Sequence, residues 1–166
     1  IKGTIYMPQK ASHLGLEVDN EIHQVNFKEM SRLMYPGDTD RLASIVSKFY
    51  PETFNVKGPW IAGGSIRRWW SSLPQSADMD IFCSTDEQYD ELVHQLTHLA
   101  VEQAHNKYNR GFKLDGQLIQ LIHWTWFDSI EHMFNNFDFT ICQFAFDGTS
   151  VYATEQALAD EQNKRL

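Results

Sequence analysis

Positive charge is scarce in this chain: 14 Lys and Arg stand against 22 Asp and Glu over 166 residues, a formal charge of −8. Sequence-independent binding to DNA or RNA draws on clustered cations. The balance therefore argues against strong nonspecific nucleic-acid binding and against a stand-alone polymerase or tRNA binder. Cysteine is nearly missing too. Cys83 and Cys142 are the two, and both fall in predicted buried strands, where reduced structural thiols are expected rather than a disulfide framework. No apolar run reaches membrane-spanning length and no secretory signal is seen, so a cytoplasmic protein is the expectation. With five prolines, no internal repeat and no low-complexity tract, nothing marks a domain boundary. One domain over 1–166 is expected, with an N-terminal extension (1–35), a core (58–153) and a C-terminal tail (154–166). The material for a core is present: 42% of residues are hydrophobic and 13% aromatic.

Periodicity gives an α/β order. Residues 1–35 carry little pattern, although Val18 to Phe27 alternates loosely. Asp38 can cap a helix running to about Phe49, with Leu42, Ile45, Val46 and Phe49 on one face. Pro51 to Pro59 reads as a loop. Thr85 with Gln88 reads as a capping box opening a helix to about Ala104. Two Asp-Gly turns predict hairpins. Asp115-Gly116 joins 110–114 to 117–124, and Asp147-Gly148 joins 138–146 to 149–153. Between them Asp128 and Glu131 frame a short helix to about Asn135. Residues 154–166 show a weak helical pattern.

The chemistry-bearing stretch lies at 60–82. Trp60-Ile61-Ala62 is a strand candidate leading to Gly63-Gly64-Ser65. Two glycines allow a tight turn and close approach of a ligand to the backbone. Ser65 can cap the next helix through its hydroxyl, and Ile66, Trp69, Trp70 and Leu73 give that helix an apolar face before Pro74. A helix start offers N–H groups and a positive dipole to phosphate oxygens. Arg67, in the first turn, can reach the same oxygens. Asp78-Met79-Asp80 then begins a strand whose two carboxylates point the same way, about 6.8 Å apart along it. Divalent ions roughly 3.5–4 Å apart fit between such carboxylates and a triphosphate.

These residues resemble a known superfamily. Ile61-Ala62-Gly63-Gly64-Ser65-Ile66-Arg67 with Asp78-Met79-Asp80-Ile81 is similar to the nucleotidyltransferase fold of DNA polymerase β and the CCA-adding enzymes. A second block, Asp138-Phe139-Thr140-Ile141-Cys142-Gln143-Phe144-Ala145-Phe146-Asp147, resembles the Asp-Phe-Thr-Ile-Asn stretch of the CCA-adding and poly(A) polymerase branch. The resemblance covers about 58–150. It implies a mixed β-sheet with helices packed on one side and two C-terminal β-hairpins. It also implies two Mg²⁺ ions on Asp78 and Asp80, and a nucleoside triphosphate held by Gly63, Gly64, Ser65 and Arg67. The implied reaction transfers a nucleoside monophosphate to a hydroxyl acceptor: a small molecule, a protein or an RNA end. Small stand-alone members of this kind resemble phage open reading frames, so a phage protein in the host cytoplasm or virion is expected.

The departures open alternatives. Phe137 stands where the family usually has Arg, Cys142 where it has Asn, and Arg68 where an acid usually follows the first Arg. The third carboxylate is expected within Ile119-Gln120-Leu121, where Gln120 stands. An amide is a poor Mg²⁺ ligand and proton acceptor. Asp138 either supplies the missing charge or hydrogen-bonds the turn before its strand. Hence three readings stay open: an active transferase, an inactive binding or assembly module of the same fold, or an antitoxin-like partner subunit. Other clusters carry less. His94, His98 and His105 read as a solvated helix face. Lys107, Arg110 and Lys113 read as a local offset to the acidic surface. Trp124 and Trp126 read as cover for the sheet.

Overall fold

The computed structural model describes residues 21–49 and 54–163; residues 1–20 of the extension, 50–53 of the loop and 164–166 of the tail lie outside them. Eight strands form one mixed sheet in the order β1-β8-β7-β2-β3-β6-β5-β4. They are β1 Ile22–Asn26, β2 Trp60–Ala62, β3 Met79–Phe82, β4 Val101–His105, β5 Asn109–Leu114, β6 Gln117–Ile122, β7 Phe144–Phe146 and β8 Ser150–Thr154. Only β3 and β6 pair in parallel; every other neighbouring pair is antiparallel.

Strand alternation sorts the side chains onto two faces. Ile61, Met79, Ile81, Ile119, Leu121, Phe144, Phe146, Val151 and Ala153 join the larger core. Trp60, Ala62, Ala145 and Tyr152 point the other way, into a smaller one. Five helices cover the larger face: α1 Phe27–Met34, α2 Arg41–Phe49, α3 Gly64–Trp70, α4 Asp86–Leu99 and α6 Glu155–Asn163. The sixth, α5 Ile130–Asn135, lies on the opposite face, where Ile130, Met133 and Phe134 seal the smaller core. A helix on that side was not expected from the sequence. The segment that follows it, Asn136 to Phe139, lines the cleft described below.

Several boundaries differ from the sequence expectations, each for a local reason. The cap of α2 is Asp40, not Asp38: its Oδ1 accepts from the Ala43 N–H at 3.0 Å. Thr85 caps α4 as expected, accepting from the Gln88 N–H at 3.1 Å, but the Gln88 side chain accepts from Ser84 N–H at 2.8 Å instead of completing the box at Thr85. That helix stops at Leu99, and Val101–His105 becomes the edge strand β4 paired with β5. Arg110 clamps this edge with two bonds to Glu102, 2.8 and 3.1 Å. A ladder partner thus outweighs helical propensity. His105 consequently leaves the helix face it was grouped on, while His94 and His98 stay exposed on α4.

The first Asp-Gly turn forms as read: Asp115 and Gly116 both have positive φ, 49° and 81°, the geometry that matches strand twist in a two-residue hairpin. The second hairpin is shorter than expected. Residues 138–143 are not strand; Thr140–Cys142 forms a 3₁₀ turn, so Cys142 is not a strand residue. Side chains hold the segment there. Thr140 Oγ1 donates to Asp160. The Gln143 amide donates to the Phe134 carbonyl at 3.0 Å and accepts from Thr154 Oγ1 at 2.8 Å. These bonds replace the ladder that a longer β7 would have made.

Candidate active site

The end of β2, the start of β3 and the middle of β6 meet at one level of the sheet. Ala62 faces Asp80 across the β2–β3 pair, and Asp80 faces Gln120 across the parallel β3–β6 pair. Asp78 precedes β3 and is exposed; Asp80 is half-buried. The Gln120 amide donates to Asp78 Oδ2 at 3.0 Å. The place where the resemblance implies a third acid is therefore filled by a neutral group that holds one carboxylate oxygen of the pair. Asp78 Oδ1 and the Asp80 carboxylate remain as donors.

A cleft of about 300 Å³ opens on this face. Gly63, Gly64 and Asp80 line one side, and Asn136, Phe137, Asp138 and Phe139 line the other. The chain reaches Gly63 at φ 91°, a conformation that L side chains rarely adopt. A Cβ there would meet no atom within 4 Å, so the space over this backbone is open. Gly63 rather than Ser65 is the N-cap of α3, contrary to the capping expectation. Ser65 sits one residue inside the helix; its hydroxyl is fully buried and no partner contacts its Oγ. Such an orphaned buried hydroxyl is uncommon in native structures, and Ser65 itself does not line the cleft.

Burial pushes the Asp80 carboxyl up to about 7, and the Asp78 charge beside it adds to the effect. Two carboxylates that repel in a partly dry site form a donor set that a divalent cation relieves. The set fits an ion held by Asp78 and Asp80. Asp138 is exposed and lines the same cleft as Asp80. Among the described residues, however, the one trio of His, Cys, Asp or Glu whose ligand atoms lie within 4.8 Å of one another is Glu21, His23 and Glu155 at the β1 edge. Asp78, Asp80 and Asp138 do not close to that spacing.

Arg67 takes a different position from the one the sequence suggested. Its Nη1 bonds Glu161 of α6 at 2.8 Å, and both groups are largely removed from solvent. No Lys or Arg is among the described residues lining the cleft. Arg67→Ala is expected to cost about 2–3 kcal/mol, because a buried carboxylate loses its guanidinium; urea unfolding reads it, and a change under 1 kcal/mol would contradict the pairing. The sequence reading missed the aromatic wall. Phe82, Phe127, Phe137, Phe139 and Trp124 all line the cleft. Phe137, an apolar residue at a position the resemblance assigns to Arg, was the available signal.

A family model described as Gabija anti-defense 2 family protein matches residues 38–164. The chain belongs to that family. A curated family relative, Gabija anti-defense 2 of Bacillus phage SPbetaL7, is 27% identical over 136 residues, which cover 81% of this chain and 34% of the relative. This Gabija anti-defense 2 family chain thus spans about a third of that protein's length. Among solved structures, the Thermotoga maritima CCA-adding enzyme complexed with tRNA matches with a TM-score of 0.56 at 17% identity, covering 87% of this chain and 35% of that one. The likeness is one of fold, and the fold is the nucleotidyltransferase fold. In this family member no helix among the described residues is long and apolar enough to cross a membrane.

Proposed function

We propose that this protein is a phage nucleotidyltransferase that counters host defence by moving a nucleoside monophosphate from a triphosphate onto a hydroxyl. One observation carries the reading: the Gly63-Gly64 turn and Asp80 line a single cleft, with Asp78 beside Asp80. Asp78 and Asp80 would hold Mg²⁺, one or two ions. The bound metal supplies positive charge to the triphosphate and polarises the attacking oxygen. Everything else falls to the chain. The Gly63 N–H is taken by the Phe144 carbonyl at 2.9 Å, so phosphate oxygens would approach the N–H groups of Gly64 and Ser65, which have no partner within the helix. Gln120 would orient Asp78 through its 3.0 Å bond to Oδ2. Asp138, which lines the same cleft, would accept the proton of an acceptor hydroxyl. With no Lys or Arg among the described residues lining the cleft, nucleotide binding would depend strongly on the divalent ion.

The name of the phage relative ties the family to Gabija, so a component of that defence is the proposed acceptor. The test uses α-labelled triphosphates, Mg²⁺ and extract of cells carrying the defence. Label moves to an acceptor, and chelation stops it. Protection of phage with no label transferred from any triphosphate would defeat the enzymatic reading.

One observation favours a second reading, a binding module without catalysis: the amide of Gln120 stands where an acid would and occupies Asp78. Calorimetric titration separates the two. The module would leave Mg²⁺-dependent triphosphate binding weak or absent while still protecting the phage.

A further inference from the structure

The wall opposite the glycines has features that phosphate and metal binding do not use. The chain has five tryptophans, and four are committed elsewhere. Trp60 donates its indole N–H to the Val56 carbonyl at 3.1 Å, Trp69 to Asp40 at 2.8 Å and Trp126 to Asp86 at 2.9 Å. Trp70 packs edge-on against Phe144 at 5.8 Å. Trp124 is 59% exposed and lines the cleft that Gly63, Gly64 and Asp80 line. Behind it Phe82 holds Phe127 at 6.0 Å and Phe137 at 5.6 Å between ring centroids, a fixed aromatic floor.

We infer that Trp124 is the stacking platform for the nucleobase of the bound nucleoside triphosphate. The inference rests on the nucleotide reading above and adds the subsite. A cleft lined by glycine backbone, carboxylates and aromatic rings suits a molecule that carries both a polyphosphate and an aromatic base. No Lys or Arg among the described lining residues is available to hold the phosphates. Affinity for the nucleoside part therefore comes from ring contact. Stacking on an aromatic side chain accepts any base and contributes enough for about a tenfold to hundredfold change in affinity. The exposed indole borders the cleft that Gly63, Gly64 and Asp80 also line.

The experiment is calorimetric titration of the full chain in Mg²⁺ with two probes, inorganic tripolyphosphate and α,β-methylene ATP. The wild type is expected to bind the nucleotide analogue at least tenfold tighter than tripolyphosphate. In Trp124→Ala that preference vanishes while tripolyphosphate affinity holds, and Trp124→Phe restores most of it. An unchanged preference in Trp124→Ala overturns the platform and leaves the nucleotide reading intact. Equal weakening of both probes also overturns it, since the residue would then shape the cleft rather than touch the base. If the wild type binds neither probe, the nucleotide reading itself fails and the platform falls with it.

Discussion

Asp80→Asn is expected to yield a protein that is more stable at pH 8 than its parent and, under the proposed function, much slower in nucleotidyl transfer. The carboxyl lies in a half-buried site next to Asp78, and burial first, then that charge, raises it from 3.8 to about 7. In the unfolded chain it ionises near its usual value. Between about pH 4 and pH 7 the folded protein therefore holds a proton that the unfolded chain has lost. The stability this contributes is complete below about pH 4 and is gone once the pH has risen through 7. The full difference corresponds to at most about 4 kcal/mol, and solvent on the cleft side reduces it to about 2 kcal/mol. Asparagine keeps the shape and removes the titration, so the variant's stability profile is flatter across this window. Mg²⁺ acts oppositely on the two proteins. It raises the melting temperature of the wild type above pH 7, where the ionised pair welcomes a cation, and leaves the variant nearly unmoved. Loss of one carboxylate from the charge-stabilising set is expected to slow transfer by on the order of a thousandfold. Thermal scans at pH 4, 6 and 8 with and without Mg²⁺ read the first two effects. Parallel curves for both proteins would show that Asp80 is not a strained member of an acidic pair.

The parts of this site legible in the sequence are those set by short-range rules. Gly63-Gly64 announced a turn, and Asp78-Met79-Asp80 announced two polar side chains on one face, because strand alternation has a fixed period. Gln120 was found by its apolar flanks, and the register Asp80↔Gln120 places it beside the acids. What the sequence did not disclose depends on long-range pairing. Arg67 lies 94 residues from Glu161, and nothing local marks that carboxylate as its partner. Val101–His105 continues a helical pattern, and only the ladder with β5 makes it strand. Asp138 and Trp124 share a wall because α5 folds onto the smaller face of the sheet, an arrangement fixed by Ile130, Met133 and Phe134 meeting Trp60 and Ala145. Trp124 and Trp126 looked equivalent around Thr125. The structure separates them: one bonds Asp86, the other faces the cleft.

Asp40→Ala is expected to be the most destabilising single change considered, at about 4 kcal/mol. Asp40 is buried, 6% exposed. Its Oδ2 accepts from Trp69 Nε1 at 2.8 Å and from Ser31 Oγ at 2.5 Å. Its Oδ1 accepts from the Ala43 N–H at 3.0 Å and caps α2. Alanine would leave the Trp69 donor unsatisfied in the core, at about 1–3 kcal/mol. It also removes a helix cap worth about 1 kcal/mol and frees Ser31, which ties α1 to the same carboxylate. Asp40→Asn keeps one acceptor oxygen and the volume, so about half the loss is expected. The effect reaches function through α3. Trp69 is the buried anchor of the helix that begins at Gly64, and Tyr35 binds its carbonyl at 2.5 Å. Loosening that anchor lets the helix start shift behind the Gly63-Gly64 wall. Triphosphate affinity is thus expected to fall along with stability, though no residue of the cleft has changed. Urea unfolding with Trp emission measures the first effect, and titration of the folded variant at low temperature measures the second. A cost below 1 kcal/mol would mean that water replaces the carboxylate. Undiminished affinity in a destabilised variant would show that α3 is held in place by Ile66 and the sheet alone.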